Sequence, residues 1–352
     1  MRYYAIKIID PATGKILVPD PKTRIFTPTA PGANVFSYAS HSGDTFYPGA
    51  LDLELDLQIT GFAEVGAKTG CALKIWGISL AEIGQRAKLN GKLIEIYGGF
   101  KKGLPLVKPQ QAGLLLHGLI FQAFGNWQGT EQTLDFIIYP DSGTRESPAN
   151  IVFDCPAGTS LASAVETTLA RAFPRYTRSI HIDPRLVLDH TETHVVASLS
   201  EFAYYIFNLS QHIIQDSGYA GVNMRLNTTE IFVYDRSTKS KPIKIAFEDM
   251  IGQPTWVEVA KINISLAMRA DISVMDVIQL PPGLLGGAYV LTTPGAAKPE
   301  SPATARNYNN FTGAFNVVAV HHFGHYRQPD ANSWVTVIDA NPLDFDPPRG
   351  LT

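Results

Sequence analysis

The chain has 352 residues, 45% of them hydrophobic, and a net charge of −3 from 29 basic and 32 acidic side chains. At roughly 100–200 residues per domain this length predicts two or three domains, and the apolar content excludes whole-chain disorder. The balanced charge excludes a dedicated nucleic-acid or polybasic membrane-binding protein, which would carry a basic excess. The only cysteines, Cys71 and Cys155, cannot build a disulfide framework or a four-thiolate zinc site. A single bridge between them stays open, but both are expected as small reduced hydrophobes.

From the N-terminus, Met1 to Ile9 reads as a strand, with no apolar leader core, so synthesis in the cytoplasm is expected. Leu51, Leu53, Leu55, Leu57 and Ile59 alternate with Asp52, Glu54, Asp56, Gln58 and Thr60. A strict period of two predicts a half-buried strand with every carboxylate on the wet face. Ala72 to Trp76 predicts the returning strand of a hairpin. Ser79 to Glu82 predicts a capping box opening a short helix whose stripe is Leu80, Ile83 and Ala87. Strands are expected at Leu93–Tyr97, Leu114–Phe121 and Thr133–Tyr139. The most apolar run, Gly113 to Phe124, is interrupted by His117 and Gln122 and is too short for a bilayer span, so no membrane insertion is expected.

Pro140 to Pro148 reads as a linker. Beyond it, Leu161, Val165, Leu169 and Ala172 predict a helix stopped by Pro174. Ser198 to Glu201 predicts a second capping box, Phe202, Ile206, Leu209 and Ile213 a buried helix face, and Gly218 a C-terminal cap. Strands are expected at Asn223–Leu226 and Glu230–Tyr234. From about Ser240 the pattern is β again: Ala260–Met268, Val274–Leu280, Ala288–Thr292, Phe315–His322 and Trp334–Ile338. Between Pro281 and Asn310 lies a long stretch rich in Gly, Pro, Ala and Thr, expected as an extended hairpin or loop.

Few residues carry a chemical signature. Gly61, Gly66, Lys68 and Thr69 resemble a phosphate loop, but there the lysine follows the second glycine directly. Asp52, Glu54 and Asp56 stand roughly 6.5–7 Å apart along one strand face. Such a row can hold a cation, act as paired acids or line an acidic wall, though a solvated face is its commonest meaning. His190 and His194 form one group, and His321, His322 and His325 another. Since His321 and His322 point to opposite strand faces, these are expected as surface or hydrogen-bonded histidines rather than metal ligands. No Gly-x-Ser-x-Gly elbow occurs, and Asp141-Ser142-Gly143 and Asp216-Ser217-Gly218 read as turns. Tyr3, Tyr4, Trp76, Tyr97, Phe100, Trp127 and Tyr139 are expected in core packing. No catalysis, cofactor or metal is expected.

The order of features resembles a family. Lys74-Ile75-Trp76-Gly77-Ile78-Ser79, the capped helix, Leu93-Ile94-Glu95-Ile96-Tyr97-Gly98-Gly99-Phe100 and Leu115-Leu116-His117-Gly118-Leu119-Ile120 resemble the first domain of baseplate hub proteins of contractile-tailed bacteriophages, the tail-hub or late-control family. Phe247 to Pro254 resembles that family's entry to a second barrel, and Gly313 to His322 with Trp334-Val335-Thr336 its closing hairpin. Where many relatives carry Gly-Asp, this chain has Gly324-His325.

The resemblance implies a mainly β protein with an α+β insert: two tail-tube-like antiparallel β-barrel domains, residues 1–146 and 240–352, flanking a small α/β domain, 147–239. It implies a virion structural protein, a homotrimer joining a sixfold tail tube to a threefold central spike, with tape-measure and other baseplate proteins as further partners. DNA would pass through the pore without sequence-specific binding. Asp52, Glu54 and Asp56 are then expected to line the lumen, repelling phosphate. The competing expectations are a tail-associated cell-wall hydrolase and the hub of a type VI secretion or tailocin-like machine.

Overall fold

The structure, a computed structural model, describes residues 1–30, 35–60, 70–101, 108, 111–139, 150–174, 176–216, 219, 221–227, 230–235, 242–258, 261–281, 311 and 313–343. The phosphate-loop-like turn after Thr60, the linker from Pro140, Ser142, Gly218, Ala260 and residues 282–310, with the expected strand at 288–292, lie outside the described residues.

The first third holds β1 (Arg2–Ile9), β2 (Leu17–Pro19), β3 (Phe26–Pro28), β4 (Tyr38–Ala39), β5 (His41–Ser42), β6 (Thr45–Phe46), β7 (Leu53–Thr60), β8 (Cys71–Trp76), α1 (Leu80–Ile83), β9 (Leu93–Phe100), β10 (Gly113–Gln128) and β11 (Glu131–Tyr139). In β7 the alternation acts as expected: Leu53, Leu55 and Leu57 are fully buried and the acids face out. Each such leucine is worth about 1.5–3 kcal/mol. The strand starts later than Leu51 because the Asp52 carboxylate turns back to accept the Leu53 amide (2.9 Å). β10 runs past the expected Phe121, since bulges near Leu115 and Phe121 bend it from β9 onto β11.

The capping box at Ser79 forms, with Ser79 and Glu82 exchanging side-chain-to-backbone bonds. The expected apolar stripe does not. The helix ends after one turn at Gly84 and continues as a 3-10 turn, Arg86–Leu89, so the 3.6-residue period is lost; Leu80 and Ala87 are exposed while Glu82 and Leu89 are buried. Trp127 also departs from expectation. It lies beyond the core end of β10, 64% exposed, its indole nitrogen donating to the Gly129 carbonyl oxygen (2.9 Å).

The middle third holds β12 (Ile151–Cys155), α2 (Leu161–Ala172), β13 (Thr177–His181), β14 (Glu192–Val196), α3 (Leu199–Ile214), β15 (Asn223–Asn227) and β16 (Glu230–Tyr234). β12 pairs with β14, and β16 lies between parallel β13 and antiparallel β15. Both helices pack Leu161, Val165, Leu169, Phe202 and Ile206 into the core between these sheets, with Leu209 and Ile213 at its margin. The second capping box is half formed: Ser198 accepts the Glu201 amide, but the Glu201 carboxylate takes the Ala197 amide instead of Ser198's own. Gln215, in the left-handed region (φ 47°), caps α3 before the chain reaches Gly218.

The last third holds β17 (Ile243–Lys244), β18 (Thr255–Glu258), β19 (Lys261–Ala267), β20 (Val277–Gln279), β21 (Ala314–His325) and β22 (Trp334–Pro342). The strand expected from Val274 to Leu280 shrinks to β20, because a turn takes its start: Met275 has φ 75° and Asp276 accepts the Ser273 amide.

The first and last thirds share one 13-stranded sheet, in the order β18-β19-β22-β21-β7-β8-β11-β10-β9-β1-β4, with β17 and β20 branching from β21. The join is the antiparallel ladder of β7 with β21, from Glu54–His325 to Thr60–Ala319. Two cores lie under this sheet, one beneath the first third and one beneath the last, and Met268 and Trp334 cross into the first. The sheet curls until β1 meets the β21–β22 turn. There the Arg2 guanidinium donates to the carbonyls of His325 (2.8 Å), Tyr326 (3.2 Å) and Asp330 (2.6 Å), and Trp334 donates to Gly99 (2.9 Å). Gly324 leaves room for that indole: a Cβ there would stand 2.5 Å from the Trp334 ring. Cys71 and Cys155 are both buried, and no disulfide joins them.

Candidate functional site

The sheet has one face against the two cores and one facing away from them. Register fixes what stands on the outer face. One row reads Phe124, Asp135, Lys74, Glu54, His325 across β10, β11, β8, β7 and β21. The next reads Gln122, Ile137, Ala72, Asp56, Phe323. Glu54 and Asp56 therefore share a face, as the alternation requires, and Asp52, just before β7, approaches it through His325.

What the alternation does not reveal is the partner strand. His321 Nε2 stands 2.6 Å from Asp56 Oδ1, and His325 Nδ1 stands 3.8 Å from Asp52 Oδ1. Asp52 also accepts the Arg327 amide (3.2 Å). Lys74 Nζ lies 5.1 Å above the Trp76 ring, which tilts against His325 at 5.3 Å between centroids. Asp52, Glu54, Asp56 and Asp135 face one lysine and two histidines, so the face is net negative at neutral pH. Phe124, Ile137 and Phe323 add exposed apolar surface between the charges. The signal in the sequence was the spacing of His321 and His325, same-face residues of one strand; the pairing with β7 could not be read from either strand alone.

His322 points the other way. It is buried, and burial pulls its imidazole down to about 3. Thr336 Oγ1 donates to the Arg269 carbonyl oxygen (3.1 Å) and accepts the Arg269 amide (3.0 Å), so its 2.9 Å contact with His322 is assigned as donation from Nδ1–H. No grouping of His, Cys, Asp and Glu suited to a metal occurs among the described residues. His190 instead spans two carboxylates, Asp189 (2.6 Å) and Glu192 (3.2 Å), which raise its pKa, Asp189 most. A cleft of about 590 Å³ opens where β1 meets the β21–β22 turn, lined by Phe46, Phe100, Ile251, Tyr326 and Trp334 among others. Among the described residues that line it, Asp330 is the one carboxylate. Among the described residues no helix is long and apolar enough to cross a membrane.

No protein-family model and no curated protein matches the sequence. Solved structures do. The 43 kDa tail protein of prophage MuSo2 from Shewanella oneidensis aligns over 98% of both chains at 6% identity with a TM-score of 0.50. A tail protein from Neisseria meningitidis aligns over 96% of both chains at 9% identity and 0.47. An E. coli type VI secretion component, described as similar to the T4 tail proteins gp27 and gp5, aligns over 83% of this chain and 73% of its own at 12% identity and 0.45. The chain thus has the fold of the Shewanella prophage tail protein along nearly its whole length, mainly β with an α+β insert.

Proposed function

We propose that the protein is a structural hub of a phage tail, or of a related contractile injection machine, whose copies form a ring around a pore. The observation that carries this reading is the outer face of the shared sheet. Eight consecutive strands, β18-β19-β22-β21-β7-β8-β11-β10, unite both β regions in one curved wall. The wall ends on β18 and on β10, which beyond Ala123 forms a ladder with β11 alone among the described residues. Open strand edges are templates for another chain, so edge pairing between copies would extend the wall into a closed ring and remove both edges.

In that ring the two β regions act as tube-like barrel domains, residues 1–146 and 240–352, with the 147–239 insert outside the wall. Three copies would present six such domains, which suits a sixfold tube on one side and a threefold spike on the other. Asp52, Glu54 and Asp56 would line the lumen and keep DNA phosphates from adhering. The role is assembly and passage rather than catalysis, in a virion tail with tube, spike, tape-measure and baseplate proteins as neighbours. Light scattering after size exclusion tests the oligomer. A species near three times 38.4 kDa is expected, and a monomer at every concentration, alone and with the candidate spike, would overturn the reading.

A further inference from the structure

The two-stranded ribbon β12–β14 in the insert is built like an unfinished sheet. Its register runs unbroken from Ile151–Val196 to Cys155–Glu192, and neither strand has a second ladder partner among the described residues. Proteins normally blunt such edges with lysine, proline or a bulge. Here both strands lack all three, and Val152 and Val195 stand opposite one another, exposed. On β14, Thr193, His194 and Val195 are all exposed, whereas Ile151, Phe153 and Cys155 of β12 are fully buried.

β14 is also held ready. His194 stacks on Tyr205 of α3 at 4.1 Å and 10°, and the Tyr205 hydroxyl donates to Glu192 Oε1 (2.6 Å). Little ordering cost therefore remains for an incoming strand. The surroundings are acidic: Leu186 to Glu201 contains Asp189, Glu192 and Glu201 and no lysine or arginine, His190 between Asp189 and Glu192 being the one group that answers them, and Asp154 faces Thr193 across the ladder.

From these observations we infer that β14 is a docking edge for an extended, basic segment of a partner protein, which adds a third strand to the ribbon. Main-chain bonds supply the affinity. β-branched side chains of the segment pack on Val195, and its Lys or Arg residues face the carboxylates. The inference does not depend on the ring.

The test uses the full chain and a fluorescein-labelled heptapeptide alternating valine with lysine and threonine, read by anisotropy. Its glutamate-for-lysine counterpart is the charge control. Saturable binding of the lysine peptide is expected, at least tenfold weaker for the glutamate peptide and for Thr193→Lys/Val195→Lys. Both substituted positions are exposed, and circular dichroism checks that the variant stays folded. Leu80→Lys/Ala87→Lys, a change of equal charge at two exposed sites outside the insert, should bind as the wild type does. Absent binding of the lysine peptide, equal affinity for both peptides, or indifference to the double substitution would each overturn the proposal.

Discussion

Glu82 is the most telling single residue in the first β region, because a fully buried carboxylate must be answered from all sides. Arg24 approaches it with Nε (3.2 Å) and Nη2 (2.9 Å), Tyr38 donates its hydroxyl (2.9 Å), and Ser79 supplies amide and hydroxyl. Arg24 holds a left-handed backbone (φ 57°) to do so, a strain of about 1 kcal/mol that the bidentate pair offsets. Burial, then the Glu82 charge, pushes the Tyr38 phenol far above its usual range. Glu82→Ala should cost about 1–3 kcal/mol in urea unfolding, because the Tyr38 hydroxyl and the Ser79 amide lose their acceptor while the partly exposed Arg24 can turn to water. His322 contributes to the pH dependence of stability. Its folded pKa, about 3, lies below the unfolded imidazole value near 6.5, so between these values the unfolded chain binds more protons. The stability it contributes is therefore present above pH 6.5 and is lost as pH falls toward 3, by up to about 1.4 kcal/mol per pH unit. Burial lowers His117 and His41 in the same direction. Denaturation midpoints of His322→Gln across pH 3–7 should show a flatter acid limb than the wild type.

At the scale of elements, close strand packing sets the tolerances. A Cβ at Gly118 would fall inside the van der Waals envelope of the Tyr139 carbonyl oxygen, a backbone atom of β11 that cannot rotate away. Gly118→Ala should thus destabilise by about 1–3 kcal/mol and loosen amide protection along β10 and β11. Much of this level was legible in sequence, for identifiable reasons. β7, β19 and α2 each bury one face, so period alone fixes their buried sides. α1 was misread because Glu82 is buried through contacts from Arg24 and Tyr38, more than forty residues upstream, and local periodicity cannot contain them. The short strands β2 to β6 carry too few residues to show any period. The same limit applies at the candidate site: Asp52, Glu54 and Asp56 are legible in the alternation, while His321 and His325 reach them only through the β7–β21 ladder.

Across the whole molecule, that ladder turns two β regions into one wall. A second tie is the buried Arg269, whose guanidinium meets Asp249 (3.0 Å) and Asp271 (2.6 Å) while Gln111, from the first region, donates to the same Asp249 (3.2 Å). Arg269→Leu removes the shortest of the contacts to Asp249, leaving it Gln111 and Lys108 (3.5 Å), and should cost about 1.5–3 kcal/mol, read by chemical denaturation. The wall's charge makes a separate prediction. The wild type should show no DNA binding near physiological salt, whereas Asp52→Lys/Glu54→Lys/Asp56→Lys should retain duplex DNA, with affinity falling steeply as salt rises. Failure of the triple variant to bind would separate the acids from any role in repelling DNA. The central claim, a ring with this face turned inward, is tested most directly by an electron cryomicroscopy reconstruction of the assembled protein. The account predicts a threefold ring whose pore is walled by β7, with Asp52, Glu54 and Asp56 exposed to the lumen. A particle placing those three carboxylates on its outer perimeter would contradict it.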